Sequence, residues 1–142
     1  MRIIVCEEGF EYPKKDAKRI GSPEDAYEVF KEIIGTEEHL AVIFLNNKNK
    51  LIACEIVSSG SRKQSIADPS LVFRPALARN ASAVIIAHNH PSGDTLPSTE
   101  DMVLTKRMIE CGHVLGIPVH DHLIISHTGF LSIREDGLCE FE

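Results

Sequence analysis

The chain has 142 residues, of which 43% are hydrophobic and 25% are charged, and these values are typical of one compact domain with a sizeable core. The formal net charge is −6 at pH 7, which argues against a protein that binds nucleic acid through its phosphates, because such proteins usually carry a basic surface. The densest basic stretch, residues 14–19, is short and indicates a solvated loop or tail.

The first predicted element is a short strand over residues 2–6. Acidic residues follow it directly, so its apolar run is too short for a signal peptide or a membrane span. The four cysteines are far apart and form no C-x-x-C pair, which is typical of reduced thiols in a cytoplasmic protein. These residues are Cys6, Cys54, Cys111 and Cys139.

A helix is predicted next. Ser22 as the N-cap, Pro23 at the first position and Asp25 in the first turn are typical of a helix start, and Gly35 is typical of a stop. The apolar residues of this helix share one face and must cover a sheet. They are Ala26, Val29, Phe30, Ile33 and Ile34.

Two strands are predicted over residues 40–45 and 51–57. The asparagines between them tolerate positive φ, which suits a hairpin, and residues 58–61 are predicted to form a flexible turn. Asp68 and Pro69 then predict the start of a second helix that ends near Asn80. Its inward-facing residues are predicted to be Val72, Phe73, Ala76 and Leu77.

A metal site is predicted where the next strand ends. Residues 83–87 are apolar and rich in β-branched side chains, which indicates a buried strand, and His88 and His90 follow it. Residues two apart on a strand project from the same face. Both imidazoles can therefore converge on one ion, at the roughly 2.0–2.1 Å usual for zinc, while Asn89 faces the other side.

Asp101 is the predicted third ligand. Pro91, Gly93 and Pro97 end the strand, and residues 98–101 have the pattern of a capping box that opens a helix with Ser98 as N-cap. In that helix Asp101 heads an apolar stripe of Leu104, Met108 and Cys111.

A buried carboxylate needs a partner, and a cation held by two imidazoles supplies one. Two histidines and one carboxylate leave an open position for water, which is typical of catalytic zinc. The alternative is that Asp101 only complements the helix dipole.

Two closing strands are predicted over residues 119–126 and 130–133, hinged at residues 128–129. The first carries His120, Asp121 and His122, with both histidines on one face. Three roles stay open for this group: support for the metal site or substrate pocket, a structural pairing, or ligation. The order β, α, ββ, α, β, α, ββ predicts the α/β class, with a mixed sheet flanked by helices.

The string H-x-H-x₇-S-x₂-D of residues 88–101 resembles the JAMM motif of the JAB/MPN metalloprotease family. Longer blocks, at residues 87–94, 97–101, 116–125 and 129–135, resemble its RadC-like bacterial branch. The resemblance implies a JAB/MPN-like, cytidine-deaminase-like single domain. We assign residues 22–135 to this domain, 1–21 to an N-terminal strand and connection, and 136–142 to a C-terminal tail.

The resemblance also implies a zinc-dependent hydrolase of amide or isopeptide bonds, with one zinc ion per chain and a peptide or protein as substrate. A glutamate on an earlier strand would hold the attacking water. Glu38 is the best match to this glutamate, and Glu55 is the reserve candidate. The alternative for Glu38 is a solvated acid with no role in the site. Ser98 would stabilise the tetrahedral oxyanion.

Two other functions are kept as alternatives. One is a non-catalytic interaction module, which loss of a motif residue would favour, but the motif is intact. The other is a DNA-repair-associated factor, for which the expected basic surface is missing. The oligomeric state is not predicted.

Overall fold

The computed structural model describes residues 3–5, 18–59 and 68–141. Strand β1 (Ile3–Val5) precedes helix α1 (Pro23–Ile33), the strands β2 (His39–Leu45) and β3 (Leu51–Ser59), and helix α2 (Ser70–Ala78). Strand β4 (Ala83–Asn89), helix α3 (Thr99–Leu115), and strands β5 (Val119–Ser126) and β6 (Gly129–Ser132) follow. The prediction of a flexible turn over residues 58–61 was wrong for residues 58 and 59, which continue strand β3. Residues 60–61 of that turn and most of the basic stretch at residues 14–19 lie outside the described residues.

The strands form one six-stranded sheet in the order β1-β3-β2-β4-β5-β6. Only β4 and β5 are parallel within this sheet; the other neighbouring strands are antiparallel. Antiparallel neighbours can be joined by short turns, whereas a parallel pair needs a crossover, and α3 provides it. The predicted α/β class with a mixed sheet is therefore confirmed.

Apolar side chains pack on both faces of the sheet. On one face α1 buries Ala26, Val29, Phe30 and Ile33, the residues that its periodicity predicted. The N-cap is Ser22, whose hydroxyl accepts from the Asp25 N–H at 3.2 Å. The first predicted helix is thus confirmed in its boundaries and in these four buried residues, while Ile34, also predicted on this face, is the C-cap and only partly buried.

Helices α2 and α3 cover the other face. Val72, Phe73 and Ala76 of α2 are buried as predicted, but the prediction for Leu77 was wrong, because that side chain is 54% exposed. Arg79 instead lies over the Phe44 ring, 5.6 Å from its centroid. The end of α2 therefore presents Arg79 rather than Leu77 to the sheet.

Both chain regions outside the predicted domain also contribute to the core. Ile20, just before α1, and Phe141, near the C-terminus, are each at most 8% exposed. The described cysteines, Cys54, Cys111 and Cys139, are free thiols. In the described part of the chain, no helix combines the length and the apolar character that a membrane span requires.

Candidate metal centre

The first two site residues stand at the end of β4, in the middle of the sheet. His88 is 6% exposed, and its backbone lies in register between Leu40 of β2 and Ile124 of β5. His90 follows the strand, and its N–H donates to the Ile125 carbonyl at 2.8 Å. Neighbouring strands therefore hold the backbone of both histidines.

Asp101 meets the histidines from the first turn of α3. Its Oδ1 lies 3.2 Å from His88 Nδ1, and its Oδ2 lies 3.0 Å from His90 Nε2. The ligand atoms of the three residues all lie within 4.8 Å of one another. The structure thus brings together the three side chains predicted as ligands, and Asp101 is 4% exposed.

The predicted capping box holds Asp101 in place. Ser98 Oγ accepts from the Asp101 N–H at 3.0 Å, and the Ser98 N–H donates to Asp101 Oδ2 at 2.8 Å. This reciprocal pair satisfies two of the helix donors that lack a partner within the helix. The cap and the predicted ligand role of Asp101 are compatible, since the carboxylate that accepts from the Ser98 N–H also lies against both histidines.

The donor set suits a divalent cation such as zinc. His90 Nδ1 lies 2.7 Å from the Asp94 carbonyl, which can only accept, so the ring carries its hydrogen on Nδ1 and leaves a lone pair on Nε2. That lone pair faces Asp101 Oδ2, a second acceptor, and a cation between them would satisfy both. The contacts of 3.0 and 3.2 Å are close to the roughly 3.3 Å between neighbouring ligands in tetrahedral zinc sites.

The pKa values indicate that the site favours positive charge. Burial lowers the pKa of His88, but hydrogen bonds to Asp101 and Glu38 outweigh it and leave the pKa raised. Burial raises the pKa of Asp101, but hydrogen bonds from His88 and the Ser98 N–H outweigh it and hold that pKa below its ordinary value. Asp101 therefore stays ionised, as a metal ligand must.

The two candidate glutamates lie in different surroundings. Glu38, just before β2, places Oε1 2.9 Å from His88 Nε2, and its side chain is 23% exposed. Glu55 of β3 forms an ion pair with Arg79 at 3.4 Å. Of the two, Glu38 is the carboxylate that contacts a predicted ligand.

Ser98 lies beside the site, because its N–H donates to Asp101 Oδ2. Ser98 is exposed, and its oxygen already accepts from the Asp101 N–H. Accepting this bond leaves the hydroxyl proton available for donation to an approaching oxygen.

The group His120, Asp121 and His122 is not part of the ligand cluster found among the described residues. His122 is fully buried under α3, with Nδ1 2.5 Å from Thr105 Oγ1, which donates to the Asp101 carbonyl at 2.7 Å. Asp121 accepts from the Ser132 hydroxyl at 2.6 Å. His122 thus contacts the helix that carries the candidate ligand Asp101, and Asp121 contacts β6.

Two contacts of this site were not predicted from the sequence. Thr105 lies four residues after Asp101 and so on the same face of α3, a spacing that could have revealed its bond to Asp101. Asn89, correctly placed on the face opposite His88, bonds to the loop that carries Glu38. A polar residue inside a buried strand was the available signal.

A separate cavity of about 630 Å³ lies beside the N-terminus of α1. Its lining includes Arg19, His120, Asp121 and Arg134, but none of the three candidate ligands. Volume alone therefore does not locate the site that the side-chain chemistry indicates.

The chain is similar to known proteins over most of its length. The family model for the RadC-like JAB domain matches residues 20–138. A UPF0758 protein of Caldanaerobacter subterraneus is 46% identical over 125 residues, which cover 87% of this chain and 54% of the relative. A UPF0758 protein of Staphylococcus carnosus is 44% identical over 145 residues, covering 96% and 64%. The chain therefore spans only about half to two-thirds of these relatives, and it belongs to the RadC-like JAB domain family.

Proposed function

We propose that this domain is a zinc-dependent hydrolase that cleaves an amide bond, in a peptide or in an isopeptide linkage between proteins. The observation that carries the proposal is the 2.9 Å contact between Glu38 and His88. It sets a carboxylate of the type needed for proton transfer beside a group of three potential metal ligands. The association of JAB domains with hydrolases supports the same conclusion.

His88, His90 and Asp101 would hold the ion. When bound, zinc would polarise the scissile carbonyl and lower the pKa of the attacking water. The three side chains are buried or half-buried, and Ser98 and Asp94 orient two of them through hydrogen bonds. Such outer contacts fix the ligands before the ion arrives.

Glu38 would move the proton. Its carboxylate takes one proton from the attacking water as the new carbon–oxygen bond forms, and it returns that proton to the nitrogen as the carbon–nitrogen bond breaks. With a side chain 23% exposed, Glu38 is accessible to both water and substrate. Ser98 would donate its hydroxyl proton to the oxyanion of the tetrahedral intermediate.

The first experiment measures metal content by mass spectrometry and hydrolysis of a panel of peptide and isopeptide substrates. We expect about one zinc per chain in the unmodified protein, and loss of that zinc in His88→Ala and Asp101→Ala. Full zinc content in Asp101→Ala would contradict the ligand assignment. Absence of metal after zinc supplementation, with the fold intact, would favour the non-catalytic interaction module.

The matched pair Glu38→Gln and Glu55→Gln tests the base. Removal of a general base costs about 10²- to 10⁴-fold in rate, so Glu38→Gln should lose hydrolysis while keeping zinc. Glu55→Gln should stay close to the unmodified protein. The opposite result would assign the role of general base to Glu55. In a separate measurement, salt-sensitive DNA binding would support the DNA-associated alternative.

A further inference from the structure

The side chain of Asn89 hydrogen-bonds to the main chain on both sides of Glu38. Its Oδ1 accepts from the N–H of His39 at 2.6 Å, and its Nδ2 donates to the carbonyl of Glu37 at 2.6 Å and to that of Gly35 at 3.4 Å. The residues immediately before and after Glu38 are thus held by one side-chain amide. That amide is 50 residues away in the chain and 4% exposed.

The chemistry of the three contacts requires an asparagine. One partner is a donor and two are acceptors, so the amide has only one orientation that satisfies all of them. A carboxylate of the same shape would keep the bond to the His39 N–H but would face the Glu37 carbonyl with a second acceptor. The contact therefore discriminates between asparagine and aspartate, although the two have nearly the same volume.

Two successive residues of β4 reach the site from opposite faces of the sheet. His88 projects to the face of α3, where it contacts Asp101 and Glu38. Asn89 projects to the other face and holds the loop between α1 and β2. His88 and Asn89, which hydrogen-bonds to the loop that carries Glu38, therefore lie on the same strand, β4, and all seven residues of that strand are buried.

We propose that Asn89 is a positioning residue for Glu38, which sets the carboxylate against the metal ligand His88 through the flanking peptide groups. This inference rests on the proposed function for its effect on rate. Gly35 and Glu37 in the loop before β2 are exposed, so the contacts to the buried Asn89 tie this surface loop to the sheet. Precise placement matters because a displacement of about 1 Å at a reacting group can cost on the order of 10²-fold in rate.

The test compares Asn89→Ala and Asn89→Asp with Asn46→Ala. Asn46 is the control, because its side chain also bonds to the main chain of a loop: its Oδ1 accepts from the N–H groups of Lys48 and Lys50 at 2.9 and 3.0 Å. It lies beyond the other end of β2, about 20 Å away. Loss of a side-chain bond to a loop is common to both positions, whereas a positioning effect on Glu38 appears only at residue 89.

We expect both Asn89 variants to keep zinc and to lower kcat about 10- to 100-fold, with KM changed by less than about twofold. Asn46→Ala should keep kcat. In a Glu38→Gln background Asn89→Ala should cost nothing more, because the group that it positions is gone. Full kcat in Asn89→Ala, or losses that multiply in the double variant, would overturn the inference.

A second readout does not depend on activity. Amide hydrogen exchange of His39, followed by NMR, should accelerate at least about 10-fold in Asn89→Ala but not in Asn46→Ala. If the unmodified protein shows no hydrolysis that depends on Glu38, the proposed function fails, and this measurement alone decides the inference. Unchanged exchange at His39 would then refute it.

Discussion

His122 is expected to make stability depend on pH in a defined window. The imidazole is fully buried, and burial, together with repulsion from His88 and His90, lowers its pKa from 6.5 to about 3. Among the described residues its Nε2 has no hydrogen-bond partner, so a proton added there would be buried without compensation. Below pH 6.5 the unfolded chain therefore binds a proton at His122 that the folded protein does not.

The sign and size follow from proton linkage. A folded-state pKa below that of the unfolded chain means that the unfolded state binds more protons between pH 3 and 6.5, so the free energy of unfolding falls as the pH falls. The slope is about 1.4 kcal/mol per pH unit, so acidification from pH 6.5 to 5.0 should cost about 2 kcal/mol. The raised pKa of His88 acts above pH 6.5, and the lowered pKa of Asp101 acts below 3.8, so neither contributes to this interval.

The assay is urea unfolding of the metal-free protein at pH 5.0 and 6.5. The unmodified protein should lose about 2 kcal/mol more between these values than His122→Gln, which cannot titrate. Asp121 has a raised pKa and an opposing slope, but it is present in both proteins and cancels in the difference. His113→Gln, at an exposed position of α3, is the control for the replacement of a histidine by glutamine. Equal slopes in His122→Gln and the unmodified protein would refute the reasoning.

Three further predictions concern α3 and its site. Gly112→Ala should destabilise the fold by about 1–3 kcal/mol in urea unfolding despite a better helix propensity, since the new Cβ would lie 2.5 Å from the Ile117 carbonyl oxygen. Gly35→Ala, with no atom within 4 Å of its Cβ, should be close to neutral. Ser98→Ala should cost about 1 kcal/mol through loss of the cap, and an unchanged urea midpoint would contradict that role. Zinc at 100 times its Kd should stabilise the protein by about 2.7 kcal/mol in thermal unfolding but leave Asp101→Ala unaffected.

Local patterns in the sequence determined most of the helices and strands and the group of candidate ligands. The caps at Ser22 and Ser98 and the buried face of α1 were predicted because they depend on residues within one or two helical turns. The convergence of His88, His90 and Asp101 was predicted for the same reason, since 13 residues separate the first from the last and a strand end followed by a capped helix places them together.

The tertiary structure decided what depends on distant parts of the chain. The choice between Glu38 and Glu55 depends on β2 lying between β3 and β4, so that the start of β2 meets the end of β4. The alternation of apolar residues along a strand specifies its faces but not its neighbours. Two other features depend on packing between elements: the hydrogen bonds from Asn89 to the loop that carries Glu38, and the exposure of Leu77. The periodicity of apolar residues within one helix or strand does not specify such packing.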